Sequence, residues 1–138
     1  MTVIRELGPG DDALVHAASH LFDGPARPNA TAAFLADERH HLLVAYEGLQ
    51  PVGFVSGVEV THPDKGTEMF LYELAVNEAY RRRGIGRDLV ERLAAVARRT
   101  GCYGMWVVTD HDNEAARATY EGTDAVPETG QVVEVWTF

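Results

Sequence analysis

The residues able to do chemistry gather in a few places. Arg81, Arg82, Arg83 and Arg87 flank the Gly84-x-Gly86 pair in "YRRRGIGRDLVERL". Glu73 sits inside the apolar run "FLYELAV", and further carboxylates stand at Asp110, Asp112 and Glu134. The arginine–glycine stretch has the makeup of an anion site. A helix beginning near Gly84 would present unpaired N–H groups and a partial positive charge. Glycines at 84 and 86 would let a phosphate approach the backbone, and the arginines would add charge-assisted hydrogen bonds. Glu73 suggests a different task. A carboxylate partly withdrawn from water holds its proton more tightly and suits a general base.

The charge balance separates these two groups. The chain carries 21 acidic and 12 basic side chains, a net charge of −9, yet seven of the twelve bases fall between Arg81 and Arg99. An acidic surface argues against a nucleic-acid partner, which needs a basic face, and suits a polycationic ligand. Phosphate loops of other kinds do not fit. A Walker loop needs a Gly-Lys-Ser/Thr ending, whereas Lys65 is the only lysine, and Leu89 stands where a dinucleotide fingerprint needs its third glycine. Ser56 in "GFVSG" is out of register for a nucleophile elbow. His40 and His41 would point to opposite faces of a strand, so no metal site is expected.

The elements that must position these residues follow from pattern. With 138 residues, 46% of them apolar and 24% charged, the chain reads as one domain over 1–138 with room for a core. No apolar run approaches the ~20 residues of a membrane span, and the start lacks the regions of a signal peptide. The single cysteine, Cys102, excludes an internal disulfide and fits a reducing cytoplasm. "TVIREL" predicts a strand, "DDALVHAASHLF" a helix capped by Asp11 or Asp12, and "ATAAFLADE" a second, short helix. "HLLVAYEG" and "PVGFVSGVEV" predict a hairpin turning at Gly48, and "EMFLYELAV" the next strand. "GRDLVERLAAVARR" is an amphipathic helix with Leu89, Val90, Leu93, Val96 and Ala97 on one face and Gly101 closing it. "YGMWVVTD" predicts a strand, "DNEAARATYEG" a helix and "QVVEVWTF" a final strand. The order β-α-α-β-β-β-α-β-α-β is α+β, a mixed and mostly antiparallel sheet flanked by helices. Alternation along "FLYELAV" puts Phe70, Tyr72, Leu74 and Val76 on one face and Leu71, Glu73 and Ala75 on the other.

Two stretches resemble a known family. "Arg81-x-x-Gly84-x-Gly86" matches the Arg/Gln-x-x-Gly-x-Gly/Ala signature of the GNAT superfamily of acetyltransferases. "NEAARATY" looks like its second cofactor element, Asn-x-x-Ala-x-x-x-Tyr. The resemblance covers nearly the whole chain and implies acetyl-coenzyme A as acetyl donor. It implies that Arg81, Arg82, Arg83, Gly84, Ile85, Gly86 and Arg87 hold the diphosphate. It implies that the backbone of Leu74, Ala75 and Val76 pairs with the pantetheine arm, and that Asn113, Ala116 and Tyr120 form the second element, with Tyr120 beside the sulfur. Tyr120 would then be the general acid for the thiolate. Glu73, on the strand where such enzymes often place their base, would act directly or through a water, with an N–H near Leu74 as oxyanion donor.

Locally the resemblance is narrower. "THPDKGTEMFLYELAV" and "TDHDNEAARATY" are similar to the small GNAT-type aminoglycoside 3-N-acetyltransferases, whose strand reads Tyr-Asp-Leu-Ala-Val where this chain has Tyr72-Glu73-Leu74-Ala75-Val76. That implies direct attack by a primary amine of a polycationic aminoglycoside in a ternary complex. Tyr72, Glu73, Asp110, Asp112 and Glu134 would frame the acceptor cleft. The chain departs from the family after the tyrosine, where Asp124 and Ala125 replace a glycine and an apolar residue. Other acceptors (a polyamine, an amino sugar or a protein N-terminus) and a coenzyme A-sensing domain without turnover are the alternatives. Edge strands and "VVEVWTF" permit a homodimer.

Overall fold

A computed structural model describes residues 1–138. The chain runs β1 (Thr2–Leu7), α1 (Asp12–Ala17), α2 (Pro28–Ala36), β2 (His40–Glu47), β3 (Gln50–His62), β4 (Gly66–Val76), α3 (Ile85–Arg99), β5 (Met105–Trp106) and α4 (Glu114–Glu121). The strands form one sheet in the order β1-β2-β3-β4-β5, antiparallel except for the parallel β4–β5 pair. No helix is long and apolar enough to cross a membrane.

The sheet has a core on each face. On one, Leu89, Leu93, Val96 and Ala97 of α3 and Tyr120 of α4 pack on Leu43, Ala45, Val52, Val55, Met69 and Leu71. On the other, Val15 of α1 and Leu35 of α2 pack on Leu42, Val44 and Phe54. The amphipathic stripe of α3 is the one read from its sequence, and the helix closes at Gly101, whose φ of +86° favours glycine. The sheet also lies very close to α3. A Cβ added at Gly57 would stand 2.9 Å from Met69 Sδ and 3.0 Å from Leu93 Cδ2.

Several elements differ from expectation. The first helix stops at Ala17 and continues only as a 3₁₀ turn over Ser19–Leu21. Asp11 precedes it but spends its carboxylate on the Gly8 N–H, at 2.8 Å, rather than on the helix. The second helix starts earlier, with Pro28 in its first turn, where the missing N–H costs nothing. "YGMWVVTD" contributes only Met105 and Trp106 as a strand, paired with Met69 and Phe70 of β4. Ahead of them Tyr103 N–H donates to the Thr67 carbonyl and the Gly104 carbonyl accepts from Met69 N–H; the residues after Trp106 have no ladder partner. "QVVEVWTF" forms no strand; its apolar side chains lie exposed without a ladder partner.

The alternation expected along β4 is also corrected. Ser56 faces Glu73 across the ladder but Gly57 faces Leu71, so Tyr72 is an extra residue, a β-bulge. The bulge reverses the parity of the strand. Met69 and Leu71 below it and Leu74 and Val76 above it all pack on the α3 side, whereas Ala75 packs with Phe54 on the other. Glu73 alternates with Leu74 and so leaves the α3 core.

Leu93 is fully buried at the centre of the α3 contact. Leu93→Ala should lower unfolding stability by about 2–5 kcal/mol, read from urea denaturation with the slope unchanged.

Candidate active site

The loop from β4 to α3 is built to leave N–H groups free. Asn77 accepts from the Ala79 N–H at 3.0 Å and starts a short 3₁₀ turn. Arg81 Nε donates to the Val76 carbonyl at 3.1 Å, folding the loop back on the end of β4. Gly84 precedes α3 with φ +81°, and no side chain caps the helix. A 15-residue helix with an uncapped N-terminus concentrates partial positive charge there. Arg81, Arg82, Arg83 and Arg87 stand exposed around it. Arg83 lies over the Tyr80 ring at 5.0 Å, and Arg87 pairs with Glu91 at 3.1 Å. Arg82 holds φ +63°, a conformation that costs a non-glycine residue energy and occurs where a loop is tightly shaped. Gly86 has a structural part as well, since a Cβ there would touch Thr119 of α4 at 3.5 Å and Val76 at 3.6 Å. Ile85 is buried beneath the loop.

Beside this helix end, one edge of β4 is open. Pairing between β4 and β5 ends at Phe70–Trp106, so β4 from Leu71 onward has β3 on one side only. The Asn77 N–H bonds the Val52 carbonyl at 2.8 Å. Alternation from that bond turns the main chain of Ala75 toward β3 and that of Leu74 and Val76 toward the open side. Below the bulge the parity is opposite, and there Met69 N–H bonds Gly104 O at 2.9 Å. Of the expected pantetheine-pairing residues, Leu74 therefore presents its main-chain groups to the free edge and Val76 its N–H, while Ala75 presents none. The Val76 carbonyl is engaged by Arg81.

The two acid–base candidates lie on opposite sides of the sheet. Glu73 is half-buried on the side away from α3, and burial, reinforced by the nearby Asp23 carboxylate, pushes its carboxyl above the ordinary value. Asp23 is missing from the sequence-based site; it follows the 3₁₀ turn in "FDGP" and carries no pattern of its own. Tyr120 is buried in the α3-side core, and burial alone raises its phenol, so it keeps its proton at neutral pH. On the Glu73 face, Ala75 is the β4 residue that packs with the apolar cluster of the α1–α2 layer. Phe70 stacks on Trp106 at 4.2 Å and meets the exposed Tyr72 ring at 5.8 Å, which leaves an aromatic surface open beside Glu73.

The remaining candidates sit around α4. Asn113 caps it, accepting from the Ala116 N–H at 3.1 Å, so its carboxamide oxygen serves the helix. Ala116 packs against the core. Asp110 and Asp112 form the turn before α4 through their carbonyls, and their carboxylates are exposed. Glu134 lies in the exposed segment that forms no strand, so its expected place at a strand end is not realised. Asp124 takes φ +70°, the left-handed conformation that a glycine would hold more cheaply, so the turn after α4 survives the substitution. The residues present fit an anionic cofactor with a diphosphate and an extended arm: an uncapped helix end among arginines adjoins a free strand edge.

Comparison with known proteins agrees with this geometry. A mycothiol acetyltransferase from Salinispora tropica is 38% identical over 79 residues, 57% of this chain; the match spans about a quarter of that relative, 24% of its length. Among solved structures, an aminoglycoside acetyltransferase from an uncultured soil metagenomic sample superposes with a TM-score of 0.86 at 24% identity, covering 100% of this chain and 99% of that one. A second soil-metagenome aminoglycoside acetyltransferase, in complex with sisomicin, superposes at 0.90 with 18% identity, covering 99% and 96%. At those identities the likeness is one of fold. The profile of the acetyltransferase (GNAT) family, whose acetyl donor is acetyl-coenzyme A, matches residues 12–122, and the chain belongs to that family.

Proposed function

We propose that the chain transfers an acetyl group from acetyl-coenzyme A to a primary amine of a polycationic aminoglycoside, at the 3-N position. The observation that carries this reading is Glu73. The bulge sends a partly desolvated carboxylate to the face of β4 away from α3, next to the free edge of that strand.

Bound acetyl-coenzyme A supplies the acetyl group as a thioester. Arg81, Arg82, Arg83 and Arg87, with the N–H groups at Gly84, Ile85 and Gly86, hold its diphosphate. Leu74 and Val76 offer main-chain groups to its arm as a neighbouring strand would. Glu73 accepts a proton from the substrate's ammonium group, directly or through a water, which frees the amine lone pair to attack the thioester carbonyl. The Leu74 N–H stabilises the charge that develops on the carbonyl oxygen. Tyr120, on the opposite side of the sheet, gives its proton to the departing thiolate. Attack from one side and departure toward the other match the placement of base and acid. Asp23, Asp110 and Asp112 add negative charge that attracts a polycation, and the aromatic surface of Tyr72, Phe70 and Trp106 gives a sugar ring an apolar face to lie on. The fold shared with a sisomicin-bound enzyme supports the same acceptor class.

Thiol release should be fast with sisomicin or gentamicin and much slower with spermidine or an N-terminal peptide, and added salt should weaken the aminoglycoside rate. Comparable rates on all acceptors would remove the aminoglycoside assignment.

Glu73→Gln should lower kcat by about 10²–10⁴-fold while leaving acetyl-coenzyme A affinity unchanged in calorimetry. The wild-type rate should fall with decreasing pH, its inflection above the 4.5 of an ordinary glutamate. Stability moves the other way. The folded state holds the Glu73 proton more tightly than the unfolded chain, so wild type loses stability as pH rises from 4.5 through the raised value. The variant should be at least as stable as wild type at neutral pH, and the gap should close in acid.

The double variant Arg82→Ala/Arg83→Ala should raise KM for acetyl-coenzyme A about ten- to a hundredfold, from the loss of charge-assisted bonds. KM for the aminoglycoside should not rise.

A further inference from the structure

Below the bulge, one face of β4 and β5 stays open well beyond the reacting carboxylate. Phe70, directly opposite Val58 of β3, stacks on Trp106 at 4.2 Å and meets the Tyr72 ring at 5.8 Å. Met69, Leu71 and Met105, which alternate with these rings, pack on the α3 side. Phe70 and Trp106 therefore point away from α3, as Glu73 does. Tyr72 is 63% exposed and Trp106 43%, whereas the same face of β2 is covered, with Phe34 of α2 at 5.0 Å from the His40 ring. Large aromatic rings left in water beside a charged cleft mark a contact surface.

The far end of this strip carries a second carboxylate. Glu68 alternates with Met69 and so shares the Phe70 face. The Tyr103 phenol donates to Glu68 Oε2 at 3.0 Å, and the Tyr103 N–H donates to the Thr67 carbonyl at 2.9 Å, so a residue tied to β4 at both ends fixes the carboxylate. None of the ion pairs of the chain includes Glu68. Its distance from Glu73 along the strand is roughly 15 Å, at about 3.3 Å per residue. The strip thus reads acid, aromatic, acid over a span longer than one sugar ring. Its ends attract ammonium groups, and the electron-rich ring faces at its centre favour the C–H face of an amino sugar and its cationic substituents.

We infer that the acceptor lies along β4, with the acetylated ring at Glu73, a glycosyl ring of the same molecule on the Phe70–Trp106 stack, and an ammonium group of that ring at Glu68. The inference rests on the aminoglycoside reading of the Glu73 site and deepens it: Trp106 and Glu68 select acceptors that carry a glycosyl ring beyond the acetylated one. Two observations choose this occupant. The strip is continuous with the acceptor end through Tyr72. Its order of acid, aromatic and acid complements a polycationic saccharide, not a ringless polyamine or an apolar partner. Both residues lie away from the reacting carboxylate, so they act on binding and not on the chemical step.

The test compares sisomicin with 2-deoxystreptamine, the aminated ring without its sugars. Trp106→Ala should raise KM for sisomicin about tenfold, and Glu68→Gln, whose amide oxygen still accepts from Tyr103, about two- to fivefold. In both variants kcat on sisomicin and both constants on 2-deoxystreptamine should stay at wild-type values, which also shows that the variants fold. In a Trp136→Phe protein, Trp106 is the single tryptophan. Its fluorescence should change on titration with sisomicin and not with 2-deoxystreptamine. Equal losses on the two acceptors, or no loss on sisomicin, would overturn the inference while leaving the aminoglycoside reading in place. So would a fluorescence change that follows protein concentration and not sisomicin, since a second copy would then cover the face. Wild type without turnover on either acceptor would remove the aminoglycoside reading itself, and the inference with it.

Discussion

The single extra residue in β4 is the constraint on which the site depends. Without the bulge at Tyr72, a strand that buries Met69 and Leu71 against α3 would also turn Glu73 into that core. An unpaired carboxylate there would be costly and useless. With it, Glu73 changes faces, Leu74 and Val76 take over the packing, and the main chain of those two residues swings from β3 to the free edge. One insertion thus sets side-chain direction and backbone direction together. It also lies where β4 loses its parallel neighbour, so the altered geometry opens onto space instead of onto another strand.

The rest of the architecture holds that strand in place. Packing of α3 across the sheet anchors the strand centre, and the close approach at Gly57 allows the helix to sit low over β3. The same helix begins at Gly84, so the core contact and the anion-binding end belong to one rigid element. Gly86 lets α4 approach α3 and β4 closely, and through α4 the position of Tyr120 is tied to the loop. The arginines are free to serve an anion because few are committed to carboxylates within the chain: Arg81 and Arg83 use a carbonyl and a ring instead.

Much of this was legible from residue types. The α3 stripe, the hairpin at Gly48, the uncapped glycine start of α3 and the family signatures all rest on local spacing, which sequence shows directly. The bulge was not legible, because alternation is a property of an ideal ladder and a bulge depends on the register with β3. Asp23 was hidden for a similar reason; its closeness to Glu73 spans fifty residues of chain. The final strand failed differently. "QVVEVWTF" has the composition of a strand, but composition does not supply a partner, and within one copy none is present. Asp124 shows the converse, a residue ill suited to its backbone angle that the surrounding turn holds anyway.

The account turns on which side of β4 receives the acceptor. A crystal structure of the Glu73→Gln protein with coenzyme A and sisomicin would show this directly. The account predicts the cofactor arm along the free edge at Leu74 and Val76, with an amine of the antibiotic beside residue 73 on the face away from α3. An amine reaching the thiol from the α3 side, or an antibiotic bound with no nitrogen near residue 73, would contradict it.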